Sequence, residues 1–190
     1  QEPVQAPATL AGELHQAVTG GRWWLRLRPR VEFVDQDGFD HDAWASTLRT
    51  VLGYETARWH GASVLLEFED VSAIGNELYN STTNGETNFP TVADPEGSEL
   101  NQVHLAYSPE EELSFKFGRQ VVILDNHRFV GDVGWRQNQQ TFDAASFLWA
   151  PTAALDVFYA FVDNVNRVFG DDSPDGDHRM ASNLVNVGYD

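Results

Sequence analysis

The chain has 190 residues, enough for one domain with a substantial core, and a formal net charge of −17 that excludes a nucleic-acid footprint. Cysteine is absent, which excludes disulfides, thiolate metal sites and cysteine nucleophiles and fits an envelope protein. No apolar run approaches the ~20 residues of a membrane helix, so a strand-built membrane protein is the membrane class left open.

Residues 1–9 are rich in Pro and Ala and read as a disordered tail, and the start QEPVQAPATL reads as a mature N-terminus left by leader cleavage. Thr9 to Val18 is expected to form a short helix, with Thr9 as N-cap and Gly20 past its end. Residues 1–21 are thus a tail with a short helix, and residues 22–190 are strands.

Arg22 to Val34 (RWWLRLRPRVEFV) alternates strictly. Trp23, Leu25, Leu27, Pro29, Val31 and Phe33 share one face; Trp24, Arg26, Arg28, Arg30, Glu32 and Val34 share the other. A helix would scatter the arginines around its circumference, so the period of two identifies a strand. It is about twice an ordinary strand in length and matches the ~9–11 residues that a tilted strand needs to cross a bilayer. Pro29 marks a bulge or an edge-like position, because it cannot donate to the ladder. An acidic turn follows, Asp35 to Asp42.

The second strand is expected from about Ala43 to Thr56, with Thr47, Arg49, Gly53 and Glu55 on its polar parity, followed by a short turn at Ala57 to Gly61. The third runs from Ala62 to about Asp70, with Ser63, Leu65, Glu67 and Glu69 opposite Ala62, Val64, Leu66 and Phe68. Val71 to Ser98 is a long polar loop. The fourth strand spans about Glu99 to Tyr107, Ser108 to Glu112 is a tight turn, and the fifth starts at Leu113. Gly118 to Ala144 is dense in Arg, Gln, Asn and Asp, side chains that need water or a mutual hydrogen-bonded network. A sixth strand runs into Trp149, with a turn at Pro151 to Ala153. A seventh spans about Ala154 to Phe169, an acidic loop covers Gly170 to Asp177, and an eighth starts near Arg179.

Short turns follow the second, fourth and sixth strands, and longer acidic loops follow the third, fifth and seventh. This is the pattern of an up-and-down transmembrane β-barrel with short turns on one side and long loops on the other. Trp23, Tyr54, Trp59, Tyr107 and Trp149 fall near the short-turn ends, as an interfacial aromatic girdle would.

RLRPRVEFVDQDG, TLRTVLGYET, WHGASVLLEFEDV, DPEGSELNQ and GRQVVILDNHRFVGDVGWRQNQQTFDA resemble the alginate-export porins of Gram-negative outer membranes. The resemblance runs from about Arg26 to Ala144, and the last block carries most of its specificity. It implies an outer-membrane β-barrel pore for anionic polysaccharide or small anions, with lumen arginines and carboxylates at the constriction. Barrels of that family have roughly twice the strands present here, so the chain reads as the N-terminal part of a larger barrel.

Guanidinium suits a carboxylate-bearing substrate because it stays charged and binds in a bidentate way. Arg26, Arg28 and Arg30 make a ladder at i, i+2, i+4, and Arg49 lies on the matching parity of the next strand. Lys116, Arg119, Arg128 and Arg136 come from the specific block. Glu32, Glu55, Glu67 and Glu69 share the inward faces and are expected to pair with the arginines, holding them extended and binding weak. Asp171 and Asp175 partly match a calcium loop, but Ser182 stands where its bidentate Glu belongs, so no metal is assigned. No cofactor or catalytic motif is present. Expected partners are outer-membrane lipid and lipopolysaccharide, an anionic polysaccharide or small anion, and periplasmic export proteins. The alternatives are a small closed barrel serving as a binding or structural envelope module, and, third, a carbohydrate-active enzyme.

Overall fold

The computed structural model describes residues 9–189; of the tail expected over residues 1–9, all but Thr9 lies outside them. One short helix, α1 (Leu10–Thr19), precedes eight strands: β1 (Arg22–Val34), β2 (Ala43–Glu55), β3 (Ala62–Ala73), β4 (Gly97–Glu110), β5 (Leu113–Gln120), β6 (Thr141–Thr152), β7 (Leu155–Asn166) and β8 (Asp177–Tyr189). They form one antiparallel up-and-down sheet in sequence order. The sheet is open: β1 and β8 do not pair with each other. Among the described residues no helix is long and apolar enough to cross a membrane, which says nothing of strands.

Thr9 caps α1 as its sequence implies, its Oγ1 accepting the Gly12 N–H at 3.2 Å. Pro29 causes no bulge: β1 and β2 stay in register from Arg22↔Glu55 to Val34↔Ala43. β1 has a partner on one side only among the described residues, which is the edge-like position that a residue without N–H tolerates. The fourth strand is longer than its alternation shows. Ser108 to Glu110 belong to β4, and the turn is only residues 111–112; likewise Pro151 belongs to β6, and its turn is residues 153–154. β7 stops earlier, at Asn166.

Two β-bulges lie within the sheet, and two further register shifts lie at the short-turn ends, between Tyr107 and Glu110 and between Trp149 and Thr152. In β4, Asn101 is the extra residue between Gln102, opposite Glu67, and Leu100, opposite Phe68. In β7, Asp163 is the extra residue between Val162 and Asn164. A bulge re-aims a side chain without ending the ladder.

The odd-numbered face of β1 lies open, with Trp23, Leu25, Leu27, Val31 and Phe33 at half exposure or more. The same apolar face continues through Leu52, Val64, Leu66, Phe68, Leu105, Phe117, Trp149, Val185 and Val187, all exposed. At ~3.3 Å per residue, the 13 residues of β1 reach ~43 Å, and a tilt near 45° reduces that to ~30 Å, ample for an apolar band ~25 Å tall. Trp23 stacks on Tyr54 at 4.3 Å near the short-turn end, and Phe33 on Trp44 at 4.8 Å near the long-loop end, so aromatic rings mark both rims.

The opposite face is not uniformly polar. The β3–β4 loop seats Tyr79 and Val92 on Ala43 and Ala45 of β2. The β5–β6 loop seats Val122, with Leu124 and Val130, against Phe142, Ala144, Ala160 and Val162. These two small apolar clusters hold the loops down.

Candidate functional site

Loop 121–140 folds back against the polar face of β1–β3 and meets the arginines there. Arg28 donates through Nη1 to the carbonyls of Gly134 and Arg136, both at 3.0 Å, and through Nη2 to that of Trp135 at 2.9 Å. Its guanidinium has no carboxylate partner among the described residues. Arg30 donates to Trp135 O at 2.6 Å, pairs with Glu32, and reaches Asp94 Oδ2 at 3.0 Å, while its guanidinium lies over the Trp135 ring at 4.5 Å. Arg136 returns from the loop to Glu32 at 3.3 Å.

Glu67 is the second centre. Gly53 stands between Trp24 and Glu67 in the cross-strand row, and a Cβ there would lie 2.0 Å from the Trp24 ring. The indole crosses that gap and donates to Glu67 Oε2 at 2.8 Å, beside Arg26 on the same oxygen. Asn101, turned inward by the bulge, and Gln102 donate to Oε1 at 2.8 and 2.9 Å. Trp24 is flanked by two cations, Arg22 at 5.6 Å and Arg26 at 5.9 Å from its ring. Glu69, buried, takes the Arg49 guanidinium and the Gln139 backbone N–H at 3.0 Å. Gln139 Oε1 accepts from Arg49 at 3.1 Å and Asn101 at 3.0 Å. Gln137 donates to Thr47 Oγ1 at 2.8 Å, and Asn138 to Pro95 O at 3.1 Å. The RQNQQ run thus ties the loop to the sheet and to the neighbouring loop, although Gln137 Oε1 is buried without a partner.

A cavity of about 380 Å³ opens among Arg26, Leu27, Arg28, Arg49, Val51 and Gln139. Three guanidinium groups border it. Arg26, paired with Glu67, is its open member, with 61 % of its side chain exposed; Arg49 in the cavity and Arg30 beyond it, at 15 % and 9 %, are buried in their ion pairs. The expected ladder is therefore unequal along its length.

Not all the expected residues gather here. Glu55 pairs with Arg22 at 2.8 Å at the short-turn end. Arg119 lies in register with Val103 and Asp143, on the parity of Phe115 and Phe117 rather than that of Lys116, and forks onto Asp143 at 2.9 and 3.3 Å. Lys116 is exposed on the polar parity of β5, beside a separate cavity of about 450 Å³ shared with Gln120, Asp125, Asp156 and Asn186. Arg128 stays in the loop, over the Phe129 ring at 5.5 Å. Asp171 and Asp175 join no group of three or more His, Asp or Glu residues that could hold a metal ion among the described residues.

A chain trace with this strand order has a counterpart. The fold resembles a porin wall. The crystal structure of Acinetobacter baumannii OccAB1, an outer-membrane porin, superposes with a TM-score of 0.57 at 13% identity over 92% of this chain. The match spans 42% of the OccAB1 chain, so this chain covers less than half of that protein. No family model and no curated protein matches the sequence, so the alginate-export family is not shown.

Asp94, Thr47, Trp24, Asn101, Gln137 and Gln139 complete the network; parity places Trp24 and Thr47 on the polar face, but the sequence reading singles out none of the six as a site residue. Gly53 was the available signal for one of them: a glycine inside a strand, in a row with a tryptophan and a glutamate, marks a close approach. Nothing local distinguishes Asp94 among the acids of its loop.

Proposed function

We propose that the chain supplies wall strands of an outer-membrane pore in a Gram-negative bacterium, passing anionic substrates, either polyuronate-like polysaccharide or small anions, past the arginines of β1 and β2. It acts as a conduit rather than an enzyme. Its apolar face meets lipid and lipopolysaccharide, and export proteins approach from the short-turn side. The observation that carries this is the cavity among Arg26, Arg28 and Arg49 on the face opposite the exposed apolar band. Arg28 there is held by neutral carbonyl oxygens, so its charge is not cancelled by an adjacent carboxylate. Carbonyl dipoles orient a cation while leaving it able to attract a passing anion. Arg26 shares one carboxylate with three other donors and is open to solvent. The likeness in strand order to a porin supports a barrel wall; the charge selectivity rests on the arginines alone.

The test is reversal potential across planar bilayers under a salt gradient, for the protein and its R26Q/R28Q variant. The variant is expected to lose preference for anions over cations. Unchanged selectivity would remove these arginines from the conduction path.

A further inference from the structure

Helix α1 stands at the short-turn end of the sheet and is held there by specific contacts. The Ala57 N–H donates to Ala17 O at 2.9 Å, and the Tyr54 hydroxyl to Val18 O. Glu13 accepts from the Trp59 indole at 3.2 Å and lies 3.2 Å from His60 Nε2. Ala17 is buried in this contact. The residues that face the sheet are therefore Glu13 and Ala17, one turn apart.

The neighbouring stripe is Leu10, Leu14 and Val18, at i, i+4 and i+8, and it is exposed at 63 %, 42 % and 57 %. Three large aliphatic side chains in one row on a ten-residue helix are unpartnered among the described residues. Their surroundings indicate what covers them. Val18 is bonded through its carbonyl to Tyr54, and Tyr54 stacks on Trp23, which is 71 % exposed on the apolar face. The stripe thus adjoins the apolar face at its aromatic rim, where tyrosine and tryptophan sit at a bilayer's headgroup level. The far side of the helix is polar, with Gly12, Gln16 and Thr19. A short helix with one apolar row and a polar back lies in the interface plane rather than across it.

We propose that α1 is an interfacial helix: its Leu10–Leu14–Val18 row beds into the lipid leaflet at the short-turn rim and the Glu13–Trp59–His60 contact fixes its angle to the sheet. This rests on the membrane reading above. It gives the chain a lipid contact outside the strands, which would fix the depth of the short-turn end relative to the headgroups.

The chain has no cysteine, so single-cysteine spin labels report one site each. The full chain is reconstituted in vesicles of phosphatidylethanolamine and phosphatidylglycerol, with labels at L14C, Q16C and, as a strand reference on the apolar face, L105C. Collision with oxygen and with a water-soluble nickel complex is measured for each. The expected result is that position 14, like 105, is shielded from nickel and open to oxygen, while position 16 shows the reverse. Two results overturn the interfacial helix while leaving the membrane reading intact, provided 105 is shielded. In one, 14 is as open to nickel as 16; in the other, 14 is shielded from both reagents, as a protein cover would cause. Nickel access at 105 itself would overturn both readings.

Discussion

Arg28 and Arg49 stand directly opposite each other across the β1–β2 ladder, two cations in a position where like charges repel. They are separated by where their charges go: Arg49 turns to Glu69, and Arg28 turns to the carbonyls of residues 134–136. The loop is thus tied to the sheet by the very charge that has no carboxylate of its own.

Replacing Arg28 alone with Met is expected to relieve the repulsion yet loosen the loop, because the Gly134 and Arg136 carbonyls lose their donor and that of Trp135 keeps Arg30 alone. Limited proteolysis between residues 126 and 136 should accelerate severalfold while the strands stay protected, as read by fragment mass. An unchanged cleavage rate would show that the apolar contacts of Val122 and Val130 suffice to hold the loop.

Gly53→Val would place a side chain where the Trp24 ring lies. The indole must leave, and Glu67 loses a donor in a buried setting. Overpacking and the lost bond together are expected to cost about 3 kcal/mol, measured as a fall in the urea midpoint of the lipid-reconstituted protein. Gly53→Ala should fall in between.

Asp94 is buried and holds Arg30 at 3.0 Å and the Gln137 backbone N–H at 2.9 Å, with Arg136 at 3.9 Å. D94N leaves a buried guanidinium short of charge balance and is expected to cost about 3 kcal/mol of stability. Where the variant still folds, anion preference in bilayers should rise, because one negative charge leaves the network. A fall in that preference would contradict the proposed role of the arginines.

Hydrogen bonds from Trp59 and His60 hold the Glu13 carboxyl below the usual glutamate range. A carboxyl lowered in the folded state contributes stability that is full above its unfolded value and is lost as pH falls through the folded one. Helix α1 should therefore stay attached at neutral pH and detach on acidification below the ordinary glutamate range, seen as a change in Trp59 fluorescence. E13Q should abolish that transition.

The order of elements was readable because alternation is a local property. Residues at i and i+2 take the same face whatever lies around them, so RWWLRLRPRVEFV declares its strand and both its faces unaided. The pairing of Glu32, Glu55, Glu67 and Glu69 with arginines followed from a shared face, and each has an arginine partner: on its own strand for Glu32, on the adjacent strand for Glu55 and Glu69, and two strands away for Glu67. Membership of the polar block, and not parity, points Arg119 to the lumen; the alternation of β5, carried on, puts it with Phe115 and Phe117, where its fork with Asp143 forms.

Strand order, the two faces and the long and short connections were thus written in the sequence, since each depends on neighbours a few residues apart. Which arginines are open and which are locked was decided by tertiary structure, because Arg28 and Trp135 lie 107 positions apart. Only the return of loop 121–140 to the sheet, driven by buried side chains from distant strands, brings such groups within hydrogen-bond reach.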